Sequence, residues 1–122
     1  MKHSQAFVKL VDEVMPEIKE VSVEKVKSYL DENRNFHLVD VREDNEWEAG
    51  HIEGSVHIGR GVLERDIENI IEDKSAEIVL YCGGGYRSAL AAYNAQKMGY
   101  TNIFSMQGGI REWRQRGYPE NK

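Results

Sequence analysis

Residues 79–92 join an apolar segment to a helical one through the only cysteine of the chain and three consecutive glycines. The segment that ends at Tyr81 is predicted to be a buried strand, and a helix is predicted to begin near Arg87. A strand that stops at a nucleophile, passes through a glycine loop and enters a helix points consecutive backbone N–H groups at whatever that nucleophile carries. The stretch therefore predicts an anion site built around the sulfur of Cys82.

Strand and helix patterns alternate along the rest of the chain. Strands are predicted at residues 17–21, 36–42, within 51–58, 77–81 and 102–105, and helices at 4–15, from 22 to about 30, 43–49, 62–71, 87–98 and 110–116. This alternation predicts an α/β protein with a parallel sheet and helices on both faces. In such a sheet the ligand site lies beyond the carboxyl ends of the strands.

Four of these strand ends carry unusual residues and are expected to converge. They are residues 40–42, 57–60, 82–85 and 106–109. Asp40 closes an otherwise apolar strand, and we expect it to bond neighbouring loop amides or to pair with Arg42, a supporting role, more than to act as a base. Trp47 and Trp113 are predicted to be core residues beneath the site.

The composition limits the number of domains and the classes of partner. A chain of 122 residues forms one domain most simply. Its net charge of -5 predicts no binding to nucleic acid or to an anionic membrane surface. A single cysteine excludes an internal disulfide and a CxxC pair, which favours a reducing, cytoplasmic location. His51 and His57 lack further ligand residues nearby, so we predict no metal and no cofactor.

The first sixteen residues are predicted to form a helical extension, with the main domain at residues 17–122. Phe7, Leu10, Val11 and Val14 recur at helical spacing, and Pro16 follows. Such an apolar stripe packs within its own domain in most small proteins, so core or lid is the expected role. Binding of a partner by this helix is the alternative.

The glycine loop is expected to hold Cys82 as a thiolate at neutral pH. Glycines at 83, 84 and 85 allow positive φ angles and a close approach of the backbone to a ligand. Loop N–H groups, the N-terminus of the following helix and the charge of Arg87 all favour negative charge on sulfur. The alternative is a buried structural cysteine that packs as a small apolar side chain.

Several motifs in a fixed order resemble one known family. Cys82 and Arg87 enclose a C-x-x-x-x-R loop, preceded by the strand at 38–42 and by E-x-G-H-I-x-G-S at 48–55, and followed by G-G-I-x-x-W at 108–113. Together they resemble the single-domain rhodaneses, a family of sulfurtransferases, over about residues 18–119. The resemblance implies a rhodanese-like fold with a five-stranded parallel sheet flanked by helices on both faces.

The same resemblance implies a mechanism and a set of site residues. Cys82 would be catalytic and carry a sulfane sulfur as a persulfide, in a double displacement from thiosulfate or a persulfide to cyanide or a thiol. The backbone amides of the loop would bind the outer sulfur. The supporting role of Asp40 and Arg42 is predicted from their place at the strand end. The loop residues are Gly83, Gly84, Gly85, Tyr86, Arg87 and Ser88.

Other functions stay open on the residues alone. One is a persulfide carrier or interaction module that passes sulfur only to a partner protein. A phosphatase or arsenate reductase of the same fold is a minor alternative, because those relatives use a loop one residue longer. The uncharged segment Gly83–Tyr86 argues against thiosulfate, unless Arg42, Arg60 or Arg65 supplies charge. Tyr86 is expected at the exposed rim, where it either touches substrate or has no role.

Overall fold

The computed structural model describes residues 3–121 of the chain. Within them the helices are α1 (Gln5–Val14), α2 (Val23–Asp31), α3 (Asp44–Ala49), α4 (Leu63–Ile70), α5 (Tyr86–Lys97) and α6 (Gly109–Gln115). The strands are β1 (Lys19–Val21), β2 (His37–Asp40), β3 (His51–Ile52), β4 (Val56–His57), β5 (Ile78–Tyr81), β6 (Ile103–Met106) and β7 (Glu120–Asn121), with short 3-10 helices at Met15–Glu17 and Arg60–Val62.

Five of the strands form one parallel sheet in the order β1-β6-β5-β2-β4. The predicted fold class, a five-stranded parallel sheet with flanking helices, is confirmed. Because β6, β5, β2 and β4 are consecutive neighbours that run the same way, their carboxyl ends lie at one edge. The four segments singled out in the sequence therefore meet there, as predicted.

The central strand β5 shows how helices cover both faces of the sheet. Leu80 belongs to a core cluster with residues of α4 and α5, whereas Val79 and Tyr81 belong to a second cluster with residues of α2 and α6. Successive strand side chains point to opposite faces, so a strand buried on both sides is apolar throughout. Trp113 is fully buried in the second cluster, as predicted.

The structure differs from the sequence predictions around β3. β3 pairs antiparallel with β7 near the C-terminus, a two-stranded sheet that the sequence did not predict. Strands of two residues are too short to produce a periodic pattern. Trp47 was expected in the core but is only partly buried. Its ring stacks on His51 at 3.4 Å and on His57 at 5.2 Å, so two imidazoles cover it in place of apolar side chains.

The N-terminal helix packs on α5, the helix that follows the cysteine loop. Ser4 caps α1 by accepting a hydrogen bond from the backbone N of Phe7 at 3.2 Å. Val11 and Val14 are buried against Ala89 of α5, whereas Leu10 is 49% exposed. Apart from Leu10, the apolar stripe of α1 therefore packs within the chain. No helix in the described part has the length and apolar character required to cross a bilayer.

The packing of α1 predicts that Val11 and Leu10 respond differently to truncation. Val11→Ala is expected to lower the free energy of unfolding by about 2 kcal/mol, because it removes buried methyl groups and leaves a cavity. Leu10→Ala, one residue away on the exposed side, is expected to change it by less than about 0.5 kcal/mol. Urea denaturation of both variants measures the difference, and equal effects would mean that α1 is detached from α5.

Candidate active site

Cys82 lies directly after β5, and backbone N–H groups converge on its sulfur. The N–H of Gly85 donates to Cys82 Sγ at 3.1 Å, and the N–H of Ser88, in the first turn of α5, donates at 3.4 Å. Cys82 is only 1% exposed and lies at the bottom of a cleft. Two backbone N–H groups thus donate to one sulfur at the start of α5, an arrangement that in general suits an anionic acceptor.

A pair of buried hydroxyls lies behind the sulfur. Ser88 Oγ is 3.5 Å from Cys82 Sγ and 2.7 Å from Ser105 Oγ, and both serines are fully buried. Ser105 is in β6, in register with Leu80 of β5. Sequence analysis missed Ser105, although a serine within the otherwise apolar strand Ile103–Met106 was the available signal.

Glycine occupies the three loop positions for different structural reasons. Gly85 alone among them has a positive φ, +102°, and precedes α5. Gly83 and Gly84 do not use the positive φ that glycine allows. At those positions a Cβ atom would lie 3.1 Å from Nη2 of Arg87 and 3.2 Å from Nη1 of Arg111, respectively. Those two glycines therefore make room for guanidinium groups.

The start of α6 holds the loop from the other side. The N–H of Ile110 donates to the carbonyl of Cys82 at 2.9 Å, and the N–H of Arg111 donates to the carbonyl of Gly83 at 3.0 Å. Gly109 has a φ of +60°, and a Cβ there would lie 2.6 Å from the carbonyl oxygen of Cys82. Only glycine allows this approach of the two backbones.

Arg87 shares its charge with a carboxylate instead of presenting it alone. Its Nη1 and Nη2 donate to Oε1 and Oε2 of Glu46 at 2.7 and 3.2 Å. The hydrogen bond from Arg87 holds the pKa of Glu46 below its ordinary value, and the same contact raises the pKa of Arg87. This bidentate pair joins α5 to α3 across the site.

Asp40 and Arg42 form a buried pair at the end of β2. Arg42 Nη2 donates to Asp40 Oδ2 at 2.8 Å and to the carbonyl of Gly50 at 2.7 Å, while the backbone N of Arg42 donates to Asp40 Oδ1 at 2.9 Å. Asp40 is fully buried and Arg42 is 3% exposed. Both carboxylate oxygens of Asp40 therefore accept from Arg42, and Arg42 links the end of β2 to Gly50.

The cleft above Cys82 has a volume of about 640 Å³, and its walls differ in chemical character. One wall is aromatic: the ring centroid of Tyr86 lies 4.7 Å from that of His3 and 5.9 Å from that of Phe7. α1 thus covers Tyr86, which is partly buried and less open than predicted. The other lining residues are Ser4, Glu43, Asn45, Glu46, Gly83, Gly84, Arg87 and Arg111.

Arg60 and Arg65 lie outside this cleft. Arg60 Nη1 is 3.5 Å from Glu64, and Arg65 donates to its neighbour Asp66 at 2.7 Å. Neither is among the described residues that line the cavity. Within residues 3–121, no group of three histidine, cysteine, aspartate or glutamate side chains is arranged to hold a metal ion.

A parallel five-stranded sheet with a cysteine loop at its carboxyl edge defines the rhodanese class of fold and site. A family model, the Rhodanese-like domain, matches residues 22–116. The chain therefore belongs to the Rhodanese-like domain family, and the resemblance stated from the sequence is confirmed. Residues 5–14, which form α1, lie outside the matched segment.

Three known proteins show how far the similarity extends. The putative sulfur carrier protein YrkF of Bacillus subtilis (strain 168) is 35% identical over 96 residues, 79% of this chain and 51% of YrkF, so the chain spans about half of that relative. The putative sulfurtransferase YtwF of the same organism is 32% identical over 105 residues, 86% of this chain and 99% of YtwF.

The third is a solved structure from Rhodopseudomonas palustris CGA009, RPA3614, described as a protein of unknown function and possible tyrosine phosphatase. It superposes with a TM-score of 0.88 at 30% identity, over 99% of this chain and 98% of the other. The similarity thus includes the N-terminal region that the family model does not match.

The Glu46–Arg87 pair predicts a pH dependence of stability. Because the pKa of Glu46 is lower in the folded protein than its ordinary 4.5, the pair stabilises the fold fully above pH 4.5 and loses its effect as the pH falls through the folded value. We expect the difference in unfolding free energy between the wild type and Glu46→Gln to shrink in acid.

Denaturation at pH 7 and at successively lower pH measures this difference. Glu48→Gln, on the exposed side of the same helix, is the matched control and should show no such trend. A difference for Glu46→Gln that stays constant with pH would contradict the assignment of the ion pair.

Proposed function

We propose that this protein is a sulfurtransferase that moves a sulfane sulfur through a persulfide on Cys82. The observation that carries the proposal is the convergence of the N–H groups of Gly85 and Ser88 on a sulfur at the bottom of a cleft. Such donors stabilise an anionic sulfur at Cys82. The names of YrkF and YtwF support sulfur transfer in general.

The proposed reaction is a double displacement in which each step breaks one S–S bond. In the first, Cys82 thiolate attacks the sulfane sulfur of the donor, a new S–S bond forms on Sγ, and the rest of the donor leaves with the electron pair, as sulfite from thiosulfate or a thiolate from a persulfide. In the second, cyanide or a thiolate attacks the outer sulfur and the Cys82 thiolate is released.

The other predicted site residues receive supporting roles. The backbone of residues 83–88 would hold the outer sulfur, and the side chain of Tyr86 would border the donor. Arg87 would fix the loop through Glu46 instead of binding the donor directly. The buried pair Asp40–Arg42 would keep the end of β2 in place beside the loop.

An organic persulfide is the donor that the charges favour over thiosulfate. Thiosulfate is a compact dianion, and loops suited to it are expected to present unshared cations. Here the loop residues before Arg87 are uncharged, both Arg42 and Arg87 are paired with carboxylates, and the unpaired Arg111 lies on α6, outside the loop itself. The aromatic wall of the cleft suits an organic group. We expect the acceptor to be a thiol or cyanide.

A carrier that passes sulfur to a partner protein is the second candidate, favoured by the name of YrkF. A phosphatase is a further possibility because of the description of RPA3614. The loop has four residues between Cys82 and Arg87, and Arg87 is engaged with Glu46, which argues against a phosphate held within the loop. We further propose a cytoplasmic location and no nucleic-acid or membrane partner.

We also propose that residues 1–16 are an extension of the domain formed by residues 17–122, and that this extension acts as a lid. The supporting observation is that His3 and Phe7 contact Tyr86 at the mouth of the cleft. The packing of Val11 and Val14 on α5 would keep the lid in place.

Loading of Cys82 tests the main proposal. After incubation with glutathione persulfide, intact-mass spectrometry should show one added sulfur atom, which cyanide removes as thiocyanate. Cys82→Ser should gain none, because its hydroxyl cannot form a persulfide. Thiosulfate should load more slowly than the organic persulfide.

Turnover then separates the candidates. Steady thiocyanate release favours the enzyme, and loading without turnover favours the carrier. Hydrolysis of p-nitrophenyl phosphate, lost in Cys82→Ser, together with failure to load from either donor, would overturn sulfur transfer in favour of a phosphatase.

The lid proposal predicts a selective effect of Phe7→Ala. Loss of the ring removes apolar contact with an organic donor, so the KM for glutathione persulfide should rise about 5-fold, from roughly 1 kcal/mol of lost burial. Thiosulfate has no apolar part, and its loading rate should stay the same. Leu10→Ala is the control on the exposed side of α1. Equal changes for both donors would contradict a wall that contacts the organic group.

A further inference from the structure

Arg111, which sequence analysis did not single out, lies against the cysteine loop. It is the third residue of α6, and its backbone N–H is fixed to the carbonyl of Gly83 at 3.0 Å. Its guanidinium covers Gly84, since a Cβ on that glycine would lie 3.2 Å from Nη1 and 3.7 Å from Cζ. The side chain is therefore part of the wall of the cleft that contains Cys82.

The guanidinium of Arg111 has no hydrogen-bond or ion-pair partner within residues 3–121. This distinguishes it from the other two arginines at the site, because Arg42 is paired with Asp40 and Arg87 with Glu46. It differs also from Arg114 and Arg116 of the same region, which are paired with carboxylates. In a chain of net charge -5, the cleft wall thus holds an unshared positive charge.

We propose that Arg111 binds a carboxylate of the sulfur donor, and that the donor is a small organic persulfide that carries such a group. The proposal rests on the sulfurtransferase function and names the substrate class of that same site. A guanidinium fork matches a carboxylate through two parallel N–H donors, which a single ammonium group does not. The aromatic wall formed by His3, Phe7 and Tyr86 would contact the organic part of the donor.

The arrangement leaves the chemistry at sulfur unchanged. Cys82 thiolate attacks the outer sulfur of the donor persulfide, the S–S bond within the donor breaks, and the donor leaves as its thiolate. Arg111 contacts the carboxylate before and after this step and exchanges no proton. Its effect is on binding and orientation of the donor, through a charge held outside the loop itself.

A matched pair of donors tests this role. N-acetylcysteine persulfide and its methyl ester differ by one carboxylate, and the rate of sulfur addition to Cys82 is followed by intact mass at low donor concentration. For the wild type we expect the acid to load about 10-fold faster than the ester, as for one charge-assisted contact that is partly exposed to solvent. In Arg111→Gln this preference should disappear, because the rate with the acid falls to that with the ester.

Two further variants make the result specific. Arg111→Lys keeps the charge without the fork and should retain part of the preference. Arg116→Gln removes an equal charge from the exposed end of α6 and should retain all of it. These outcomes separate local binding from the change in net charge.

Results that contradict the role of Arg111 can be told apart from results that contradict the proposed function. Equal rates with acid and ester in a wild type that loads would overturn the role of Arg111 and leave the sulfurtransferase function intact. A loss of both rates in Arg111→Gln would assign the residue to loop structure and contradict carboxylate binding. Failure of the wild type to load from either donor would overturn the proposed function itself.

Discussion

The hydrogen bonds between the cysteine loop and the start of α6 determine the geometry of the whole site. The carbonyls of Cys82 and Gly83 accept from the N–H groups of Ile110 and Arg111, and Gly109 lets the two backbones come together. With these carbonyls turned towards α6, later N–H groups of the loop, at Gly85 and Ser88, are left to face the sulfur. One contact between backbones thus orients both the loop and the donors that surround Cys82.

The order of strands makes that contact possible. β6 lies beside β5 in the parallel sheet, so the turn after Met106 emerges next to the loop after Tyr81. On the other side of β5, the end of β2 brings in the buried Asp40–Arg42 pair. A buried pair of this kind costs desolvation energy, and its use here is positional: Arg42 also ties the end of β2 to the carbonyl of Gly50.

The sequence predicted the architecture well because strand and helix periods, the glycine loop and the place of Cys82 are all local signals. The position of Cys82 at a strand end, and the sharing of one sheet edge by residues 40–42 and 106–109, follow from those signals and from parallel topology. The contacts that were missed depend on which distant side chains meet. Ser105 reaches the site only through its register in β6, and Trp47 is covered by two histidines that no pattern links to it.

The arginines show the same limit of prediction from sequence, and their pairing affects the proposed function. A sequence gives the number of cations near a loop, but the structure gives the number that remain unshared. Arg87, which was expected to act on Cys82, is also held by Glu46, whereas Arg111, on a separate helix, lies unpaired over Gly84. Cys82 is 1% exposed, and its cleft is bordered by α1 on one side. A small donor of the proposed kind would reach Cys82 through this cleft, whereas a proposed protein acceptor would have to pass Phe7 and Tyr86 with its sulfur-accepting group.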